Sequence, residues 1–172
     1  TLIADPIGSV ELGEAAIENL PAGEMAALLG FRCGSPGGSG QLTIERCAGT
    51  VVLQSFDWAG EGRAVRAEGA EHVLLVASRL QGLAASDSRV VLIRSEVAAG
   101  ALSASGSVLL LQESRVQGAP GRPAIRLEAS QLTLSSSGEV PSLELQNGSR
   151  ALISAADVRA ISQRCDADSR VT

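Results

Sequence analysis

The chain repeats a pair of short apolar patterns, and this repeat constrains its fold more than any other feature. The first pattern alternates two apolar residues and ends in a small residue; it begins at Leu42, Val65, Leu83, Leu102, Ile125 and Leu143. The second pattern follows shortly after each copy of the first; it begins at Val51, Val73, Val90, Leu109, Leu132 and Ala151. Both series restart together about every 20 residues, which indicates a solenoid whose units stack to form the core.

The alternation inside each pattern has a period of two, which is typical of β-strands. Val73 and Leu75 therefore share the inward face, and Leu74 and Val76 point outward. Two positions that can hold any residue type precede each small residue, such as Ser78. We expect the strand to bend at these two positions. Strands that pair with their counterparts one turn further on form a parallel β-helix, with about 4.8 Å between layers. The pattern predicts about seven coils, with the first between Ile17 and Cys33.

Three segments follow from this pattern. Residues 1–16 form an N-terminal segment that leads into the solenoid, in which Val10 and Leu12 are expected to make a lone strand. Residues 17–160 form the parallel β-helix, with loops at residues 33–40 and 118–123. Residues 161–172 form a polar C-terminal tail in which the repeat fades.

The paired patterns and the uneven coils, with excess residues in loops at one corner, resemble the secreted right-handed parallel β-helix proteins of the pectate-lyase-like superfamily. The resemblance covers residues 17 to about 158 and implies an all-β, single-domain, right-handed solenoid. It also implies an extracellular or cell-surface location. Polysaccharide-cleaving relatives carry their catalytic residues on the outward face of one sheet, so that face is the place to look for chemistry.

The outward positions of the first strand do not form a convincing catalytic cluster. Arg66 with Glu68 and Arg126 with Glu128 repeat one spacing. The repeat predicts that Glu45 lies one layer from Glu68 and that Arg66 adjoins them. Alternating surface charge that keeps a sheet soluble explains them better than catalysis does. The coils between them carry small residues at these positions, namely Ala84, Ser86, Ser103 and Ser105. His72 has no nucleophile or acid at motif spacing, so we predict no catalytic residue.

Composition excludes several classes of function. The net charge of −5 and an aromatic content of 2% argue against nucleic acid as a partner. No apolar run is long enough to span a bilayer as a helix. One histidine and three cysteines without metal-type spacing predict neither a metal nor another cofactor.

The cysteines are expected to serve packing. Cys33 and Cys47 fall in inward columns and are interpreted as buried small hydrophobes, with a Cys33–Cys47 disulfide as the alternative. Cys165 lies in the tail without an evident partner. Phe31, Phe56 and Trp58 are assigned to the core, which leaves no aromatic platform for a sugar.

The strand formed by the second pattern is unusual because its outward positions are apolar, whereas a solvent-exposed sheet face should be polar. The predicted interaction residues are Val52, Leu74, Val76, Val91, Ile93 and Leu110, with Leu152 continuing the series. A patch of this kind marks an interface. The alternatives are coverage by the chain's own first sixteen or last twelve residues, and a ladder that serves strand stability alone.

The sequence therefore favours a non-enzymatic β-helix that acts as a structural, adhesive or assembly module. Its expected partner is a second copy or another protein on the apolar face. The alternative is a polysaccharide lyase or glycoside hydrolase, or an inactive relative, that uses the outward face of the first strand. A third hypothesis is that the chain is part of a longer repeat protein.

Overall fold

The structure, a computed structural model, describes residues 1–3, 11–33, 41–58, 65–98, 102–118, 122–135, 142–154 and 162–172. Strands and turns account for all regular structure in these residues, and no helix occurs among them. The predicted all-β class is confirmed. Val10, Ser137, Val158 and the predicted loop residues 34–40 and 119–121 lie outside the described residues.

The described strands are short, and their bounds follow in chain order. They are β1 (Leu2–Ile3), β2 (Glu11–Leu12), β3 (Ala15–Glu18), β4 (Met25–Leu29), β5 (Arg32–Cys33), β6 (Leu42–Glu45), β7 (Thr50–Gln54), β8 (Asp57–Trp58), β9 (Val65–Glu68), β10 (His72–Val76), β11 (Arg79–Leu80), β12 (Leu83–Ser86), β13 (Arg89–Ile93), β14 (Glu96–Val97), β15 (Leu102–Ser105), β16 (Val108–Gln112), β17 (Arg115–Val116), β18 (Ile125–Glu128), β19 (Gln131–Ser135), β20 (Ser142–Gln146), β21 (Arg150–Ser154), β22 (Ser162–Cys165) and β23 (Arg170–Val171).

Three parallel sheets run along the molecule. Sheet A has nine strands in the order β1-β4-β7-β10-β13-β16-β19-β21-β23. Sheet B has six strands in the order β17-β14-β11-β8-β5-β2, and sheet C has eight in the order β22-β20-β18-β15-β12-β9-β6-β3. Each strand pairs with the strand one turn away, so the chain winds as a parallel β-solenoid.

The pairing register is the one that the repeat predicts. Val73 lies beside Val51 on one side and beside Val90 on the other. In sheet C, Leu83 lies between Val65 and Leu102 in the same way. The inward residues therefore form continuous columns, and these columns are the core.

The number of complete coils differs from the predicted seven. Within the described residues, five turns contribute a strand to all three sheets, from β3 to β17. The three later turns contribute strands to sheets C and A, and residues 136–141 and 155–161, which follow those sheet A strands, lie outside the described part of the chain. The repeat itself continues to β23.

The described bends between sheets C and A and between sheets A and B each contain a residue with positive φ that directly precedes an inward residue. Asp87, with φ of 48°, precedes Ser88, and Ala77, with φ of 47°, precedes Ser78. This backbone region is uncommon for residues other than glycine, because the Cβ crowds the main chain. The solenoid compensates with hydrogen bonds between turns, such as Asp87 N–H to the Ser105 carbonyl at 2.9 Å.

Two columns of buried serines line the inside of these bends. Ser88 accepts a hydrogen bond from the Ala70 N–H at 3.0 Å and donates one to the Ser86 carbonyl at 2.7 Å. The first column comprises Ser88, Ser107, Ser130 and Ser149. The second column comprises Ser78, Ser95 and Ser114. The hydroxyls satisfy backbone groups that would otherwise be buried without a partner.

One small residue of the repeat does not join the first column. The first pattern that begins at Leu143 ends in Gly148, which predicts Gly148 beside Ser130, but the Ser130 N–H donates to the hydroxyl of Ser149 at 3.1 Å. Asn147 and Gly148 both have positive φ, of 54° and 72°, so this bend contains one more residue than the pattern allows.

The three aromatic side chains and Cys47 pack inside, as predicted. Phe31, Phe56 and Trp58 are buried, and the rings of Phe56 and Trp58 stack with their centroids 6.5 Å apart. Cys47 is buried with a free thiol, so the Cys33–Cys47 disulfide is not formed. Its thiol donates to the Glu45 carbonyl at 3.3 Å, in the position that serines occupy in later turns.

The C-terminal residues continue two of the sheets. β22 pairs with β20 in sheet C, and β23 pairs with β21 in sheet A. Between them, Asp166 accepts a hydrogen bond from the Asn147 N–H. The side chain of Ser169 and the backbone N–H groups of Asn147, Asp168 and Ser169 hold the pKa of Asp166 below its usual value, and desolvation opposes this shift.

Candidate interaction surface

The outward face of sheet A consists of three columns of side chains that run along the solenoid. The first column is Met25, Thr50, His72, Arg89, Val108, Gln131 and Arg150. The centre column is Ala27, Val52, Leu74, Val91, Leu110, Thr133 and Leu152. The third column is Leu29, Gln54, Val76, Ile93, Gln112, Ser135 and Ser154.

All six residues predicted for interaction lie on this face. Val52, Leu74, Val91 and Leu110 occupy four successive rungs of the centre column. Val76 and Ile93 lie on adjacent rungs of the third column. Each of the six is half-buried by its neighbours in the ladder, and Leu152 is 50% exposed. The structure thus places one contiguous apolar surface on one side of the molecule.

The sheet A face carries no carboxylate in any of its three columns. The acidic residues that the structure describes therefore lie on the other surfaces of the molecule. The basic residues of the face are His72, Arg89 and Arg150, and all three belong to the first column. The centre and third columns are uncharged.

The described parts of the two terminal segments do not lie across this face. β1 pairs with β4, and β23 pairs with β21, so both strands extend sheet A at its ends. A strand that adds to an edge leaves the outward side chains uncovered. β1 and β23 therefore do not cover the apolar patch.

Sheet B has a different outward face, which the apolar repeat alone does not predict. Its outward register runs Arg32, Asp57, Arg79, Glu96 and Arg115, so the charge changes sign at every rung. Arg32 lies 3.7 Å from Asp57, and Arg79 lies 3.6 Å from Glu96. In the sequence, the alternating charge occurs at one position of the second pattern, just before its last apolar residue. Arg79, for example, lies between Ser78 and Leu80.

Replacing Arg79 with glutamate is expected to lower the free energy of unfolding by up to about 1 kcal/mol, because three carboxylates would then occupy neighbouring rungs. The loss should shrink at high salt, which screens exposed charges. Urea unfolding at low and high salt measures both effects. Arg122→Glu makes the same change in net charge outside the sheet; an equal, salt-independent loss in both variants would contradict the role of the ladder.

The outward face of sheet C contains the acidic and basic residues considered for catalysis. Arg66 Nη2 lies 2.8 Å from Glu68 Oε2, and both side chains are half-exposed. Glu45 lies on the rung beside Glu68, as predicted. Arg126 donates to the Gln146 side-chain carbonyl at 3.2 Å, and among the described residues it has no carboxylate within ion-pair distance.

A shallow groove of about 300 Å³ crosses this face where the small residues lie. It is lined by Arg66, Ala84, Ala85, Ser86, Ser103, Ala104, Ser105, Arg126 and Glu128. Glu68 and Glu128 are three rungs apart, roughly 14 Å by strand spacing, whereas paired carboxylates in glycosidases lie about 5 to 9.5 Å apart. Glu45 and Glu68 are closer together, but neither lines the groove. The groove and the close carboxylates therefore do not coincide.

His72 lies in a hollow of about 350 Å³ at the corner between sheets C and A. Asp87, Ser88 and Arg89 line the same hollow, a grouping that sequence spacing did not predict. Ser88 is 5% exposed, and its hydroxyl is engaged as both donor and acceptor in the serine column. It is therefore not free to act as a nucleophile.

Within the part of the chain that the structure describes, no helix has the length and apolar character needed to cross a membrane.

Comparisons with protein-family models, curated proteins and solved structures found no match to this chain.

Proposed function

We propose that this chain is a non-enzymatic structural module that assembles with another protein surface, a second copy or a different chain, through the outward face of sheet A. The observation that carries the proposal is a contiguous apolar ladder on a face without carboxylates. An apolar face of this extent marks an interaction site in a soluble protein. The charged faces of sheets B and C are suited to contact with water.

The solenoid supplies the rigidity that such a module needs. Its core columns are nearly all fully buried, and the serine columns fix each turn against the next. A partner would therefore meet a preformed surface and would have little conformational entropy to lose on binding. We place the module outside the cell or on its surface, on the basis of its resemblance to secreted right-handed β-helix proteins.

Replacing Leu74 or Ile93 with glutamate is expected to abolish association through this face and to leave the coil folded. A carboxylate on the apolar ladder would have to be desolvated in any complex, which is costly without a partner of opposite charge. Size-exclusion chromatography with light scattering measures the association, and circular dichroism monitors the fold. Ser103→Glu adds the same charge to sheet C and should leave the association unchanged. An unchanged mass in both sheet A variants would contradict the proposed self-association.

A polysaccharide lyase or hydrolase, or an inactive relative, is the second candidate function. The groove on sheet C supports it, because Arg66 and Arg126 line the groove three rungs apart and could both contact an acidic polysaccharide that lies along it. Incubation with acidic and neutral polysaccharides, followed for unsaturated products and reducing ends, tests this function. Activity in the wild type that is lost in Arg66→Ala and Arg126→Ala would favour it over the structural role; no product would exclude those reactions on the polysaccharides tested.

A further inference from the structure

An arginine followed two residues later by a glutamate occurs twice on the outward face of sheet C, and the two pairs behave differently. In β9, Arg66 Nη2 lies 2.8 Å from Glu68 Oε2, so the two charges neutralise each other. In β18, Arg126 and Glu128 have the same spacing but form no ion pair with each other. The second pair therefore presents two separate charges of opposite sign, about 7 Å apart along the strand.

Neutral amides of the next turn hold these two charges apart. Arg126 Nη2 donates to the Gln146 side-chain carbonyl at 3.2 Å, and Glu128 Oε1 accepts from Asn147 Nδ2 at 2.8 Å. Glu144 lies on the rung beside Arg126, but its carboxylate accepts from Gln146 Nε2 at 2.9 Å and lies beyond ion-pair distance of the guanidinium. Because neutral amides do not cancel a charge, Arg126 and Glu128 both remain available to a charged ligand.

Small residues open the surface beside this pair. On the adjacent rung, Ser103 lies beside Arg126 and Ser105 lies beside Glu128. Both serines line the groove of about 300 Å³ on sheet C, together with small residues of β12 and with Arg66 beyond them. Ser103 is half-buried and Ser105 is exposed, so a ligand above them would find a hydroxyl next to each charge.

We infer that this groove binds a small zwitterion whose carboxylate and ammonium groups lie about 7 Å apart. The carboxylate contacts the Arg126 guanidinium and the Ser103 hydroxyl, and the ammonium contacts the Glu128 carboxylate and the Ser105 hydroxyl. The reverse orientation would bring like charges together, so the ligand binds in one direction. Since the groove is shallow and open to water, we expect a dissociation constant in the millimolar range. The site lies on sheet C and does not depend on the proposed function of sheet A.

Glu128 distinguishes this ligand from an acidic polysaccharide. An anionic chain in the groove would be attracted by Arg66 and Arg126 but repelled by the Glu128 carboxylate, which lines the same groove. A zwitterion gains from both charges of β18. Replacing Glu128 with glutamine should therefore weaken the binding of a zwitterion, whereas the same change should tighten the binding of an anion.

A titration of isotope-labelled protein at low salt, followed by amide chemical shifts, tests the inference. The probe is ε-aminocaproate, whose extended chain separates its charges by about 7 Å, the distance between alternate residues of a strand. It should shift the amide signals of Ser103 and Ser105 and saturate at millimolar concentrations. Caproate and hexylamine carry one charge each, and glycine carries two charges that lie too close together. All three should bind about fivefold more weakly than the probe.

Variants of both charges complete the test. Arg126→Gln and Glu128→Gln should each weaken the binding of ε-aminocaproate about three- to fivefold, because each removes one exposed charge contact. Arg115→Gln removes the same charge from sheet B and should leave binding unchanged, and circular dichroism monitors the fold of every variant. Tighter binding of caproate to Glu128→Gln than to the wild type, with no advantage for ε-aminocaproate, would show a site for anions and overturn the inference. The absence of a saturable shift at Ser103 and Ser105, or an equal loss in Arg115→Gln, would also overturn it.

Discussion

Replacing Leu92 with alanine is expected to lower the free energy of unfolding by about 2–5 kcal/mol, the usual cost of a large-to-small change in a well-packed core. Leu92 is fully buried in a column between Leu75 and Leu111. The cavity would lie inside the solenoid, where stacked turns cannot collapse independently. Chemical unfolding followed by circular dichroism measures the change.

Ile93→Ala is the matched control, because Ile93 is the next residue along and points to the opposite side of the same strand. It is half-buried on the outward face, so its replacement should cost about 1 kcal/mol at most in the monomer. The comparison must be made at low protein concentration, where association does not contribute. A larger loss for Ile93→Ala than for Leu92→Ala would reverse the assignment of inward and outward faces.

Replacing Ser107 with alanine is expected to cost about 1–3 kcal/mol, because it leaves a buried backbone N–H without its acceptor. Ser107 is 2% exposed, and its hydroxyl accepts from the Ser88 N–H at 3.1 Å and donates to the Ser105 carbonyl at 2.8 Å. The loss should appear as a lower midpoint of unfolding with an unchanged denaturant slope.

Two further variants separate the hydrogen bonds from general effects of serine removal. Ser105→Ala, at the exposed end of the preceding strand β15, should change stability by no more than about 0.5 kcal/mol. Ser107→Cys should retain part of the stability, since Cys47 fills the equivalent position in an earlier turn. If Ser105→Ala cost as much as Ser107→Ala, the serine column would not be what holds these bends.

The core columns could be predicted from the sequence because each depends on a strict alternation that returns at every turn. The register of Val73 beside Val90 follows from this alone. The bend at Asn147 and Gly148 could not be predicted, because one extra residue with positive φ moves Ser149 into the column without disturbing the strands on either side. The apolar pattern specifies the strands but not the number of residues in each bend.

The surface features also differ in whether the sequence predicts them. The apolar ladder from Val52 to Leu110 could be predicted because outward positions are fixed once the inward ones are known. The alternating charges of sheet B went undetected, although Arg79, Glu96 and Arg115 are the corresponding residues of successive units. The hollow beside His72 depends on how one corner stacks on the next, which no single-turn pattern describes.

Every surface described above depends on turns that stack in parallel and in register. Nuclear Overhauser effects between methyl groups, measured on methyl-labelled protein, report this stacking. In-register turns predict contacts between Val73 and Val90 and between Val90 and Leu109, with none between Val73 and Leu109. Contacts of Val90 with residues of an antiparallel neighbour, or the absence of both predicted contacts in a folded sample, would contradict the solenoid and every surface derived from it.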